Sequence, residues 1–222
     1  MTLLLWVVLT LPVMISFLML FFFSKKYSDG RWGLIAKCGG SYIAVMTAAA
    51  GGLLNGSNPL LNPLLWGLAL CAVADALLEI KFPVGVIAFA LAHLAFLGWF
   101  ISQAPLSPMI LVIFIPVMIA FTFFLPKLKK VKGNKIPYYI YPVILSAMAA
   151  VALMLPIAAG IRYLAPAIGA ALFVFSDSLV IQNFLCEQVG EKPGKYGRIQ
   201  GAAIMITYYA ALYLLAVSAW VI

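Results

Sequence analysis

The sequence is poor in charge, and poorest in acids. Only 9% of its 222 residues are charged and 6 are Asp or Glu, against 66% hydrophobic residues and a mean hydropathy of +1.13. Soluble domains carry about 25% charged residues. So little polar surface cannot cover a core of this size in water, which excludes a water-soluble fold. The single histidine excludes the multi-histidine zinc sites of membrane hydrolases. Three cysteines, Cys38, Cys71 and Cys186, lack the paired spacing of a disulfide framework or a metal site and read as small buried apolar residues. No G-x-S-x-G nucleophile elbow occurs, and no Walker or Rossmann glycine pattern.

What the chain does have is a succession of long apolar runs. A bilayer-crossing helix needs roughly 20 apolar residues. Gly, Pro, Asn and charge divide the sequence into eight such segments, at about 3–23, 32–54, 62–80, 83–102, 107–126, 138–158, 161–184 and 200–221. The first is too long for a secretory h-region, lacks a basic n-region and a small-residue cleavage site, and reads as a retained span. The turns between spans are short, and no linker or extramembrane domain is visible. The expected fold is all-α: a polytopic membrane protein with eight transmembrane helices in one bundle, a single domain over 1–222.

The basic residues agree with that count. Of 14 Lys and Arg, 12 fall in the connections after spans 1, 3, 5 and 7: Lys25, Lys26, Arg31, Lys81, Lys127, Lys129, Lys130, Lys132, Lys135, Lys192, Lys195 and Arg198. By the positive-inside rule those connections are cytoplasmic and both termini face outward. The expected location is that of a multi-pass integral membrane protein, in a bacterial cytoplasmic membrane. The run from Lys127 to Lys135 reads as a topology signal resting on anionic headgroups of the lipid bilayer. No aromatic-basic platform accompanies it, so a nucleic-acid partner is not expected. Phe21 to Phe23, Phe121, Phe123 and Phe124 read as lipid-facing or belt aromatics.

Ionisable residues inside spans are costly and mark function by default. Four qualify: Lys37 in span 2, Asp75 in span 3, His93 in span 4 and Asp177 in span 7. At about 1.5 Å per helical residue, Lys37 and Asp75 each lie roughly 9 Å inside their basic connections, Asp177 roughly 15 Å and His93 roughly 18 Å. Tyr208 and Tyr209 of span 8 fall at a similar depth. These five helices can therefore meet in one cavity open toward the basic side. Structural alternatives stand beside each residue. Lys37 can snorkel to the headgroups, Asp75 can simply pair with it, Asp177 can be structural, and His93 and the tyrosines can be packing residues. Asp29, Glu187 and Glu191 read as loop residues and Glu79 as a solvated one.

An internal echo links the two aspartates. Gly67 to Leu77 and Gly169 to Leu179 both read G-x-A-L-x-x-x-x-D-x-L, in spans of the same direction that are four spans apart. A 4+4 parallel duplication would explain this and would bring Asp75 and Asp177 face to face. Two carboxylates close together away from water cannot both ionise easily and share a proton, giving one general acid and one carboxylate. That suits a reaction whose hard step is protonation of a poor base followed by attack of water.

These residues resemble the YhhN family of eight-span membrane proteins, whose characterised members are lysoplasmalogenases. The resemblance covers essentially the whole chain. It rests on Lys37, on Ala74-Asp75-Ala76-Leu77-Leu78 (similar to G-D-x-L-L), on Ala92-His93, on Gly169 to Ser178 (similar to G-A-x-L-F-x-x-S-D) and on Tyr208-Tyr209-Ala210-Ala211. Three positions depart from the pattern: Ala74 replaces a glycine, Phe96 a tyrosine and Leu212 a glutamine. The resemblance implies hydrolysis of the vinyl ether of a lysophospholipid, releasing a fatty aldehyde and glycerophosphoethanolamine or glycerophosphocholine, with no metal and no cofactor. It implies Asp75 and Asp177 as catalytic residues and Lys37, His93, Ser176, Tyr208 and Tyr209 as substrate-binding residues. The rival readings are a proton-coupled transporter of a small amphiphile, which helices broken at Pro116, Pro142 and Pro166 would favour, and a non-catalytic binder of a lysolipid-like amphiphile.

Overall fold

In the computed structural model, which describes residues 2–27, 30–131, 135–190 and 197–222, the chain is an all-helical bundle. Its helices are α1 (Leu3–Tyr27), α2 (Gly30–Leu54), α3 (Pro63–Ile80), α4 (Phe82–Ile101), α5 (Ile110–Thr122), α6 (Leu125–Leu128), α7 (Ile136–Ala159), α8 (Leu164–Gln188) and α9 (Gly197–Ser218). Of the residues discussed above, Asp29, Lys132, Glu191, Lys192 and Lys195 lie outside the described residues, as do the side chains of Lys25, Lys26 and Arg198.

Local chemistry sets the helix ends. Asn62 accepts a hydrogen bond from Leu64 N at 3.0 Å, and Pro63 occupies the first helical position of α3, where a missing N–H costs nothing. Lys81 alone separates α3 from α4, with extended φ/ψ of −154° and 96°. Gly160 ends α7 at φ 103°, a left-handed conformation that favours glycine.

Seven helices among the described residues are long and apolar enough to cross a membrane. The segment expected at 107–126 is different: α5 has 13 residues, about 20 Å at 1.5 Å each, short of a hydrocarbon core of about 30 Å. The chain turns at Phe123 and Phe124 and resumes as α6. Pro126 has no N–H to offer the Thr122 carbonyl, so the bond that would join α5 to α6 at this turn is missing. Elsewhere proline breaks nothing. Pro142 and Pro156 sit inside a continuous α7, Pro116 lies within α5, and Pro166 is in the first turn of α8.

Helix pairing repeats with a shift of four segments. α1 packs on α2 as α5 on α7, α2 on α3 as α7 on α8, and α3 on α4 as α8 on α9. The halves then lock reciprocally, since α4 packs on α7 and α9 on α2. The pattern is incomplete, because α1 and α3 also touch α9. This is the arrangement that the echo between Gly67–Leu77 and Gly169–Leu179 anticipates.

The core holds Phe96, Phe100, Phe173, Leu145, Met148 and Leu212, all fully buried, among small residues such as Ala36, Ala92, Ala149 and Ala211 that let backbones approach. Large apolar side chains from Leu4 to Val221 are exposed along the outer faces, as lipid contact requires. Some placements differ from expectation. Phe21 and Phe121 are turned into the core rather than outward. Cys71 is buried, whereas Cys38 and Cys186 are only partly so, Cys186 receiving a hydrogen bond from Lys127 Nζ at 3.1 Å. Glu187, read as a loop residue, is exposed in the last turn of α8.

Gly67 shows how tight the packing is: a Cβ there would meet the Phe96 ring at 2.3 Å. Gly67→Val should therefore lower the thermal unfolding midpoint of the detergent-solubilised protein, at a cost of about 1–3 kcal/mol from overpacking. Gly98→Ala, with nothing within 4 Å, should raise the midpoint or leave it unchanged.

Candidate active site

Asp75 is 1% exposed in the C-terminal third of α3, and its two oxygens have different partners. Oδ1 faces Lys37 Nζ at 3.6 Å. Oδ2 accepts hydrogen bonds from Tyr208 Oη at 2.8 Å and from Ser41 Oγ. Lys37 and Ser41 are four residues apart on α2, so one helical face presents both to the carboxylate. Lys37 Nζ also lies 3.7 Å from Glu79 Oε1, one turn beyond Asp75 on α3. Glu79 is more than half exposed, so the ion pair has a buried and a solvated side.

Asp177 sits in the middle of α8 and is supplied differently. Tyr141 Oη from α7 donates to its Oδ2, and His93 Nε2 from α4 lies 3.5 Å from the same oxygen. His93 Nδ1 is 2.7 Å from the Phe89 carbonyl. A carbonyl only accepts, so Nδ1 carries the hydrogen and Nε2 is the nitrogen that can exchange a proton with the carboxyl. The edges of Phe96, Tyr141 and Phe173 enclose the imidazole at centroid distances of 6.1, 5.6 and 5.1 Å. Its Nε2 has no closer hydrogen-bond partner among the described residues.

The two carboxylates are thus held alike. Each takes a hydroxyl from the preceding segment of its own half (Ser41 and Tyr141) and a group from the last segment of the other half (Tyr208 and His93). Only Asp75 also has an ammonium. Asp75 and Asp177 line one cavity of ≈ 70 Å³ with Lys37 of α2, Ser176 and the tyrosines of α7 and α9, the rest of its wall being apolar side chains of α3, α4, α8 and α9. That is enough for a few water molecules beside the reacting atoms of a ligand. Among the described residues no three His, Cys, Asp or Glu side chains are grouped to hold a metal ion.

The expected site residues divide. Lys37, Asp75, Ser176, Asp177 and Tyr208 all line this cavity. The Ser176 hydroxyl is committed to the Ile204 carbonyl at 3.2 Å, tying α8 to α9. His93 lies behind Asp177, fully buried, and reaches the cavity only through it. Tyr209 points to α2, where its hydroxyl donates to the Ala36 and Lys37 carbonyls at 3.1 Å each, against Gly40. It positions the backbone of Lys37 rather than facing the cavity. Two partners escaped the sequence reading, Ser41 and Tyr141. Ser41 was legible as the residue four beyond Lys37; Tyr141 lies 100 positions further on, near the 102-residue offset of the aspartates.

No curated protein and no solved structure matches this chain. The model of the YhhN family matches residues 32–219, from the start of α2 through α9 and including every residue of the cavity. This chain belongs to the YhhN family.

Proposed function

We propose that this protein hydrolyses the vinyl ether bond of lysoplasmalogens, releasing a fatty aldehyde and glycerophosphoethanolamine or glycerophosphocholine. The observation that carries the reading is the pair of buried aspartates in one apolar cavity, only one of them compensated by a cation. Asp75, with Lys37 on one oxygen and two hydroxyls on the other, stays the carboxylate. Asp177 and His93 hold a proton between them, and Asp177 is the acid. It delivers that proton to the alkene carbon remote from the ether oxygen. The resulting oxocarbenium ion is stabilised by Asp75, which also takes a proton from the attacking water. The hemiacetal collapses to aldehyde and the glycerol hydroxyl, and the protons redistribute between the carboxylates.

Lys37 binds the phosphate, which replaces Glu79 on the exposed side of the ammonium. Tyr208 and Ser176 border the bound headgroup and reacting atoms. In this reading α5 and α6 complete an eight-segment bundle with both termini outside and the basic connections at the cytoplasmic face of a bacterial membrane. The three departures from the family pattern support retained chemistry, because Ala74, Phe96 and Leu212 are all fully buried in the core and none lines the cavity. Of the helix breaks that would favour a transporter, those expected at Pro142 and Pro166 are absent, and the fifth segment is continuous through Pro116 and interrupted only after Thr122.

Purified protein in detergent, with no gradient, should release aldehyde from lysoplasmalogen. Asp75→Asn and Asp177→Asn should each lower kcat by roughly 10²–10⁴-fold. Full activity in both variants would reject the mechanism. Removing the proton partner behind Asp177, His93→Ala, should cost roughly 10-fold or more in kcat with KM nearly unchanged, whereas Lys37→Met should act chiefly on KM. A steady-state comparison of the two variants separates these effects; a pure KM effect at His93 would remove it from the acid.

A further inference from the structure

A second cavity of ≈ 120 Å³ lies beside the first, between α5, α6, α7 and α8, with Met118, Phe121, Leu128, Tyr139, Pro142 and Leu185 among its walls. It shares Tyr138 and Ile181 with the aspartate cavity, so a single layer of side chains separates the two. Each shared residue is one helical turn from Asp177 or from its hydrogen-bond donor Tyr141. Ile181 is four residues beyond Asp177 on α8, and Tyr138 three residues before Tyr141 on α7, so the passage lies about 5–6 Å along each helix from Asp177 and its donor.

We propose that this groove is the hydrocarbon-chain subsite, which the alkenyl chain enters past Tyr138 and Ile181 while the headgroup stays with Lys37. The assignment rests on the reading of the aspartate cavity as an ether-lipid site. Geometry selects this groove over others. The groove between α2 and α3, at Cys38, Tyr42 and Val73, and that between α1 and α9, at Met14, Ile206 and Tyr213, are larger, at ≈ 540 and ≈ 310 Å³. Neither shares a residue with the aspartate cavity. A chain attached to a carbon being protonated by Asp177 must leave within a few ångströms of it, and of these three grooves among the described residues it is the α5–α8 groove that begins there.

The interruption of the fifth segment opens the groove outward. α5 stops at Thr122 and the chain turns before α6, which seats Leu128 against Leu185. Toward the basic end the passage is closed by stacked rings, with Tyr138 on Phe184 at 5.0 Å and Phe184 on Phe82 at 4.3 Å. The chain is therefore directed sideways into the bilayer rather than along the bundle axis. Met118 and Phe121, from the short helix, set how much chain the groove accepts.

The test uses a non-hydrolysable 1-O-alkyl lysophosphatidylethanolamine with a diazirine in its chain, irradiated with the purified full-length protein in detergent. Saturable labelling should map to Met118–Leu128, Tyr139 and Leu185, and excess unlabelled lysolipid should suppress it. Labelling confined to the α1–α9 or α2–α3 groove, or labelling that unlabelled lysolipid leaves undiminished, would overturn the assignment. Because this reads binding, failure of hydrolysis leaves its outcome intact, and the two readings fail separately. In turnover, Met118→Trp should raise KM for a long-chain substrate at least about tenfold while a short-chain one changes less than about twofold. Equal losses for both chain lengths would also overturn it.

Discussion

A carboxylate taken out of water must be given donors or a cation, and this chain buries two of them among apolar helices. The way the helices meet follows from that need. Asp75 draws α2 and α9 onto α3, and Asp177 draws α4 and α7 onto α8. Lipid supplies little force to associate apolar helices. These polar ties, together with small residues such as Gly67 and Ala92, therefore decide which faces come together. Removing one member of a buried pair leaves its partner uncompensated, which is costlier than losing the bond itself.

The repeated helix pairing gives this architecture its economy. Two halves with the same helix pairing place the two aspartates in one cavity, each bonded to its own half and to the other. The symmetry is broken where the proposed chemistry needs it broken. Lys37 stands beside Asp75, whereas Asp177 has an imidazole enclosed by aromatic edges. The fifth segment, where the first half has the long α1, is short and interrupted, and the cleft it leaves adjoins the aspartate cavity.

Much of this was legible because membranes penalise charge. Against a background of 66% hydrophobic residues, Lys37, Asp75, His93 and Asp177 stand out at once, and the structure gathers all four around one cavity. Hydroxyls carry no such penalty, so Ser41 and Tyr141 looked like any serine or tyrosine in an apolar run. Tyr209 shows the converse. It adjoins Tyr208 in sequence, but successive helical residues point about 100° apart, so one faces Asp75 and the other the backbone of α2. The shortening of the fifth segment was legible only in part, since apolarity continues through Phe123 and Phe124 and only Pro126 signals the break.

The central claim is that a carboxylic acid in this cavity protonates carbon and that water then attacks the ether-bearing carbon. Hydrolysis of lysoplasmalogen in deuterium oxide enriched in oxygen-18, followed by mass spectrometry of both products, tests it most directly. The account predicts one deuterium on the aldehyde carbon next to the carbonyl and no oxygen-18 in the glycerophospho product, whose ether oxygen is retained. An aldehyde without that deuterium, or oxygen-18 in the glycerol hydroxyl, would contradict it.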